Sequence, residues 1–306
     1  MAMFCLSACF LGFFVFFGFL LREFFMSRIV SRTACLLAGL FLFSLNAGAQ
    51  TYSFGVLSQR SAVLSAQFWN PILDYVQRQS GVVLQLRLAR TAPESNDATE
   101  RGEYDFVYSN NIFQPRMAAA GYQVILRPRD EAIAGQIVTL ASSPVKTLKE
   151  LEGQEVGFPS QAAFVGYALP MDRLLRQGIR VTPVFGGNQE GIMGQLKAGR
   201  VVAAGVNNQV MKAFAARENV QYRVLWESMP FHNLPIAVHP RVPKAVREAV
   251  REAIDGMEKH PEGIAILEST ARIIGQKPPY GFQASGPEDY RNYTDFYRQT
   301  VVRDFR

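Results

Sequence analysis

Cysteine is absent from the chain after residue 35. The three cysteines, Cys5, Cys9 and Cys35, lie in an N-terminal segment that we expect to be removed during export. A mature chain without thiols can form no disulfide, no thiolate metal site and no cysteine nucleophile. Of the three histidines, only His232 lies at a predicted crossing, and it has no nearby carboxylate or second histidine in the sequence, which makes a poor metal site. We therefore predict neither a metal nor a cofactor.

Motifs of the common enzyme classes are missing too. The chain has no G-x-S-x-G nucleophile elbow, no H-E-x-x-H zinc motif and no Walker loop. The glycines between Gly186 and Gly191 do not fall in the register of a G-x-G-x-x-G dinucleotide loop. These absences argue against catalysis, and the sequence predicts a protein that is not an enzyme.

Runs of lysine or arginine are also lacking. The formal charge of +6 becomes +4 when Arg22, Glu23, Arg28 and Arg32 leave with the N-terminal segment. So small a surplus, without a basic run, argues against nucleic acid as a partner. It suits a small anionic ligand.

An export signal is present between residues 26 and 49. The apolar run from Ala34 to Leu45 follows Arg28 and Arg32 and precedes Ala47-Gly48-Ala49, which is the order of parts in a secretory signal. We predict cleavage after Ala49 and a soluble exported protein.

A second apolar run lies upstream, from Ala2 to Leu21. Its length approaches the ~20 apolar residues that span a bilayer, so it could form a membrane anchor. Alternatively, residues 1–25 are a start-site artefact and translation begins at Met26. We favour the artefact, because a second apolar segment before a cleavage site is redundant.

The rest of the chain alternates between strand and helix patterns. Residues Thr51 to Leu57 alternate with the period of a strand, apolar residues from Val63 to Val76 have helical spacing, and Val82 to Leu88 alternate again. This order predicts a parallel sheet with a crossover helix. The pattern begins anew after Ile133, where Thr147 to Pro170 reads as helix, strand, loop and helix.

We therefore predict an α/β protein with two lobes, each a mixed, mostly parallel sheet flanked by helices. Lobe one comprises residues 50–132 and 235–306, and lobe two comprises residues 133–234. Two crossings, at Ile133 to Leu140 and at Phe231 to Val238, would form the hinge, and a solute would bind in the cleft between the lobes.

Polar residues at the predicted strand ends are the first candidates for binding that solute, because open α/β sheets hold ligands beyond the carboxyl ends of their strands. A loop that opens a helix offers free backbone N–H groups to an anion. Tyr108 could wall the cleft or fill the core, and His232 could contact the ligand or serve a turn. The candidates are Ser58, Gln59, Tyr108, Ser109, Asn110, the loop Ala163, Phe164 and Val165, then Asn188, Asn207, Asn208, His232 and Asn233.

Several segments together resemble the phosphate, phosphite and phosphonate-binding proteins of ABC transporters. The resemblance spans nearly the whole mature chain. It implies a two-lobed type II periplasmic binding protein that closes on a small oxyanion and delivers it to a membrane permease. The segments are Phe54-Gly55-Val56, Gln59-Arg60-Ser61, Trp69 to Tyr75, Gly102 to Asp105, and Leu148 to Val156 with Phe158.

The chain departs from this family at the binding loop. Phosphonate binders carry Ser-Thr-Ser where this chain has Ala163, Phe164 and Val165, so the hydroxyl donors are missing. Asn188 stands where the family often has histidine, and Leu234 where aminoalkylphosphonate binders have aspartate. An aminoalkylphosphonate is therefore not expected.

Two roles fit the resemblance. The first is a monomeric solute-binding protein of an ABC importer that captures a small oxyanion or anionic organic solute by lobe closure. A related branch, with a loop similar to Phe158 to Phe164, includes ligand sensors, so the alternative is a periplasmic protein that signals to a histidine kinase. The sequence leaves the identity of the ligand open.

Overall fold

Two β-sheets flanked by helices make up the part of the chain that the structure, a computed structural model, describes, which is residues 50–130 and 132–304. The predicted export signal and the run from Ala2 to Leu21 lie outside these residues. No helix within them is long and apolar enough to cross a bilayer.

Eleven strands and eight α-helices alternate along these residues. The strands are β1 (Thr51–Val56), β2 (Val83–Leu88), β3 (Phe106–Tyr108), β4 (Gln123–Pro128), β5 (Gly135–Leu140), β6 (Glu155–Phe158), β7 (Thr182–Phe185), β8 (Ala203–Asn207), β9 (Tyr222–Glu227), β10 (Ile236–Val238) and β11 (Phe282–Ala284). The helices are α1 (Ala62–Ser80), α2 (Ala92–Glu100), α3 (Leu169–Arg176), α4 (Gln189–Lys197), α5 (Asn208–Glu218), α6 (Lys244–Asp255), α7 (Pro261–Ile273) and α8 (Arg291–Gln299).

Sheet one has the order β11-β4-β10-β3-β1-β2. Strand β1 is parallel to both β2 and β3, whereas β10 runs antiparallel to β3 and β4, and β11 antiparallel to β4. Sheet two has the order β7-β6-β8-β5-β9, with β5 antiparallel to β8 and β9. The two-lobed α/β fold is confirmed. The antiparallel share is larger than expected, because β5 and β10 enter their sheets from the other lobe.

The two predicted crossings touch each other. Ile133 and Phe231 form an isolated antiparallel bridge, in which each backbone N–H donates to the other residue's carbonyl at 2.8 Å. Both residues are buried. The bridge joins the segments just outside β5 and β10, so the hinge between the lobes has two strands that are tied together.

Helix α1 shows how local sequence fixes one wall of the cleft. The Ser61 hydroxyl accepts from the Leu64 N–H at 3.3 Å and begins the helix, and Gly81, with φ of 72°, ends it in the left-handed conformation. Trp69, Ile72 and Val76 are buried against sheet one. The N-terminal end of α1 faces the carboxyl end of β1.

Some elements differ from the sequence-based prediction. Helix α5 and strand β11 were not predicted. The predicted helix from Phe113 to Ala120 is two short 3₁₀ turns, Asn111–Phe113 and Pro115–Ala120. Proline at position 115 has no N–H to continue a helix from the first turn into the second.

The end of the chain reaches lobe two. The carboxylate Oδ1 of Asp172, in α3, accepts from the Thr300 hydroxyl at 2.8 Å and from the Val301 N–H at 2.9 Å. Arg176, one turn later, donates to the carbonyl of Gln299 at 2.6 Å. The lobe boundaries at 132 and 235 stay a prediction, and the last residues contact the lobe opposite to the one predicted for them.

Replacing Gly205 with alanine is expected to destabilise lobe two. A Cβ at this β8 position would lie 2.5 Å from the carbonyl oxygen of Gly166, in the π-helical turn Phe164–Ala168 that packs on the sheet. Moving these backbone atoms to relieve the clash costs energy. Chemical denaturation should therefore show a loss of about 1–3 kcal/mol in the free energy of unfolding.

Gly194→Ala is the matched control for this prediction. Gly194 lies inside α4, and nothing lies within 4 Å of the position of an added Cβ. Alanine there should stabilise by about 0.5–1 kcal/mol, because glycine is the poorer helix former. Equal effects of the two substitutions would contradict the close packing of the turn on β8.

Candidate functional site

A cavity with a volume of about 230 Å³ opens between the two lobes. Lobe one contributes the end of β1, the first turns of α1 and the segment from Leu267 to Phe282, and lobe two contributes one face of α5. We call it the aromatic cavity. Its aromatic residues are Phe68, Trp69, Tyr108, Tyr280 and Phe282.

The aromatic rings pack against one another along one wall. The Trp69 ring lies 4.8 Å from the Tyr108 ring, 5.2 Å from the Phe68 ring and 5.8 Å from the Phe282 ring, measured between centroids. Trp69 is only 2% exposed, while Phe68 and Tyr108 keep part of their surface free. The wall is therefore a packed set of rings, in which Trp69 contacts each of the other three.

Arg60 brings a positive charge to this cavity. The guanidinium forms no ion pair with any residue in 50–130 or 132–304, and only part of the side chain is exposed. Burial lowers the pKa of Arg60, whereas the nearby Tyr108, Glu190 and Asp130 raise it. Arginine titrates so far above neutrality that the group stays cationic.

One carboxylate also lines the cavity. Asp130 accepts from the Asn233 amide Nδ2 at 2.7 Å, and the Asn233 Oδ1 accepts from the Leu234 N–H at 2.8 Å. Asp130 is thereby held against the hinge. Lys212 and Lys277 add two exposed positive charges to the lining, so cations outnumber carboxylates around the cavity.

Tyr108 supplies a hydroxyl group on the same wall. Burial raises the pKa of Tyr108 well above its ordinary value, so the phenol is a neutral donor at physiological pH. An O–H donor beside a guanidinium suits an oxyanion, which accepts hydrogen bonds from both.

Asn207 and Asn208 end β8 and begin α5. The Asn207 Oδ1 accepts from the N–H groups of Gln209 and Val210 at 2.9 and 3.2 Å, so its role is that of a helix cap. This leaves the Asn207 amide Nδ2 as the donor that a solute in the cavity can use. The Asn208 Oδ1 instead accepts from the Ala134 N–H at 2.9 Å and secures the hinge.

A second, much smaller cavity of about 20 Å³ lies beside the first, and Gln59 lines both. The Asn110 Oδ1 and the Ser160 Oγ are buried there without a hydrogen-bond partner among the described residues. A space of this size holds about one water molecule, which these two polar atoms could bind. We call it the small cavity; its other lining residues include Ser58, Ala163, Phe164, Val165 and Asn188.

The Phe164 ring packs into an aromatic cluster at the hinge. Its centroid lies 4.3 Å from that of Tyr293 and 4.9 Å from that of Phe231, and Phe164 is 2% exposed. The cluster also contains Phe296 and Tyr297 of α8, and we call these five residues the hinge cluster. The loop of lobe two that contains Phe164 is thus anchored to α8 and to the hinge.

Two tyrosines of α8 and its preceding turn bond to the hinge backbone. The Tyr293 hydroxyl donates to the His232 carbonyl at 2.6 Å, and the Tyr290 hydroxyl donates to the Asn233 carbonyl at 2.8 Å. The Asn110 amide Nδ2 donates to the Tyr293 hydroxyl at 3.4 Å. Burial lowers the pKa of His232, and the charge of Arg127 lowers it further, so a neutral ring is favoured.

The structure divides the predicted site residues into three groups, and their role in binding stays a prediction. Gln59, Tyr108, Asn207 and Asn233 line the aromatic cavity. Ser58, Gln59, Asn110, Ala163, Phe164, Val165 and Asn188 line the small cavity. Ser109, Asn208 and His232 line neither and hold loops or the hinge in place.

Sequence reasoning did not select Arg60, Trp69, Phe282 or Asp130 as site residues. For Arg60 a signal was present, since it directly follows Gln59 at the end of β1. For Phe282 there was none, because β11 lies far along the chain from the other strand ends and reaches the cavity through sheet pairing with β4.

The family described as "ABC transporter, phosphonate, periplasmic substrate-binding protein" matches residues 54–281. No curated protein is detectably similar to the chain. Among solved structures, PhnD1 from Prochlorococcus marinus, in complex with methylphosphonate, has a TM-score of 0.71 and 13% identity, covering 82% of this chain and 98% of that one.

Two other solved structures have the same fold. A binding protein component of an ABC phosphonate transporter from Pseudomonas aeruginosa has a TM-score of 0.69 and 14% identity, covering 82% of this chain and 87% of its own. A Xanthomonas citri protein solved with bound chloride has a TM-score of 0.65 and 17% identity, covering 81% and 96%. These likenesses confirm the fold of a type II periplasmic binding protein.

Proposed function

Because the chain belongs to the family of periplasmic substrate-binding proteins of phosphonate ABC transporters, we propose that it captures a small oxyanion or anionic organic solute between its lobes. The loaded protein delivers the solute to a membrane permease and releases it unchanged. Neither the family match nor the similar structures support the alternative role of a sensor for a histidine kinase.

The observation that carries this proposal is the position of Arg60. Its guanidinium lines a cavity that both lobes enclose, beside the neutral Tyr108 hydroxyl and the Asn207 amide. A planar cation with several N–H donors binds phosphonate, phosphate and related oxyanions in a bidentate manner. The structurally similar PhnD1 was solved with a ligand of this class, methylphosphonate.

Opening and closing of the lobes would change contacts between them and leave the hinge bridge intact. The Gln189 N–H at the start of α4 donates to the Gln59 carbonyl at 3.3 Å, so lobe two touches lobe one at the strand end that separates the two cavities. Opening would break this single bond and the contacts across the aromatic cavity, while the Ile133 and Phe231 bridge stays intact. A solute that contacts both lobes therefore favours the closed form.

A thermal-shift screen of the purified protein tests the proposal. Phosphate, phosphite, methylphosphonate and phenylphosphonate form the test panel, with carboxylates and neutral sugars as comparison compounds. A true ligand at 100 times its dissociation constant stabilises by about 2.7 kcal/mol, which raises the melting temperature by about 5–10 °C. A shift with carboxylates or neutral sugars alone would contradict the capture of a phosphorus oxyanion.

A further inference from the structure

We propose that the solute carries a flat apolar group, such as an aryl ring, on its anionic head, and that this group binds in the aromatic cavity. The inference rests on the proposed capture of an anion and narrows the ligand to an aryl phosphonate or a similar aryl oxyanion. It follows from the difference between the two cavities and from the composition of the larger one.

The small cavity has no room for a phosphonate. Its volume of about 20 Å³ accommodates about one water molecule, which is smaller than a phosphonate group. The loop residue Phe164 cannot make room by a simple turn of its side chain, because four aromatic rings of the hinge cluster surround it. A solute larger than a water molecule must therefore bind on the other side of Gln59, in the aromatic cavity.

The aromatic cavity is too large and too apolar for an inorganic oxyanion alone. About 230 Å³ would leave the partly exposed Phe68, Tyr108 and Tyr280 rings in contact with trapped water around a phosphate-sized ion. An aryl group would cover these rings and remove that water, and aromatic groups pair favourably edge-to-face or with offset stacking. On the lobe-two side, Ala213 and Ala216 of α5 present small apolar side chains to the same space.

The charges around the cavity decide the sign of the head group. Aromatic walls also bind organic cations, and Asp130 could attract one. However, Arg60, Lys212 and Lys277 line the same cavity, and Asp130 already accepts from the Asn233 amide. The excess of positive charge favours an anion that pairs with Arg60 while its apolar group lies against the partly exposed Phe68 ring.

Isothermal titration with phenylphosphonate, methylphosphonate and choline tests this inference. Burying a phenyl group contributes about 1.5–3 kcal/mol, so phenylphosphonate should bind about 10- to 100-fold more tightly than methylphosphonate. Choline should not bind. Equal affinities for the two phosphonates, or tighter binding of choline, would overturn the aryl inference while a measurable affinity for methylphosphonate still upheld the capture of oxyanions.

Two variants test where the aryl group binds. Phe68→Ala removes a partly exposed ring from the cavity wall and should weaken phenylphosphonate binding about 3- to 10-fold more than it weakens methylphosphonate binding. Phe185→Ala removes a ring that is 39% exposed at the edge of sheet two and lines neither cavity, and it should change neither affinity. An equal loss for both phosphonates in the Phe68 variant would contradict the inference. If no oxyanion binds the wild-type protein, the proposed function fails and the inference fails with it.

Discussion

Arg60→Ala is expected to lower the affinity for the captured oxyanion by about 30- to 1,000-fold. A charge-assisted hydrogen bond contributes about 1.5–3 kcal/mol, and removal of one partner of a desolvated charge pair costs about 2–5 kcal/mol. We expect a loss of about 2–4 kcal/mol, measured by titration with the tightest anion of the screen.

The stability of the Arg60 variant separates binding from folding. Arg60 makes no ion pair with a described residue, and burial of its charge opposes folding, so the melting temperature without ligand should stay the same or rise. Arg60→Lys keeps the charge but loses the planar fork, and we expect an intermediate affinity. Arg87→Ala, at an exposed position of β2, is the control and should bind as the wild type does. Wild-type affinity in Arg60→Ala would place the anion elsewhere.

The fold could be predicted from the sequence because the residues that indicate each helix and strand lie close together in the chain. Residues in β1 alternate over the full strand, and α1 carries its own start signal at Ser61 and its own stop at Gly81. The two crossings were predicted because apolar, β-branched runs recur at Ile133 and before Val238. These features depend on neighbours within a few residues, which a sequence displays directly.

The residues that line the candidate site could be predicted only in part, because tertiary packing brings them together from distant parts of the chain. Polar strand ends identified Gln59, Tyr108 and Asn207. The direction of the Phe164 side chain could not be predicted, since α8 supplies the rings that hold it. Helix α5 was missed for a related reason. Its polar start at Asn207 and Asn208 resembles a ligand-binding strand end, whereas the Asn207 side chain caps the helix.

The hinge cluster links these observations to closure. Phe164 belongs to the loop of lobe two, Phe231 to the hinge and Tyr293 to α8, and the three rings touch. Tyr293 also bonds to the His232 carbonyl and to the Asn110 amide beside the small cavity. A change of the angle between the lobes must therefore be accommodated by this cluster or must pivot around it.

Phe164→Ala is accordingly expected to destabilise the protein by about 3–5 kcal/mol in the free energy of unfolding. The side chain is 2% exposed and surrounded by rings, so truncation loses the burial of the ring and leaves a cavity that packed neighbours cannot fill. Urea denaturation monitored by fluorescence would measure the loss.

Phe185→Ala is the matched control, because the same truncation at a residue that is 39% exposed should cost much less. The void left by Phe164 would join the small cavity, where Asn110 and Ser160 have unpartnered polar atoms. The Phe164 variant should therefore gain affinity for methylphosphonate relative to phenylphosphonate, since a small oxyanion then has a second place to bind. A cost of less than 1 kcal/mol, or unchanged selectivity between the two phosphonates, would show that Phe164 neither anchors the loop nor closes the small cavity.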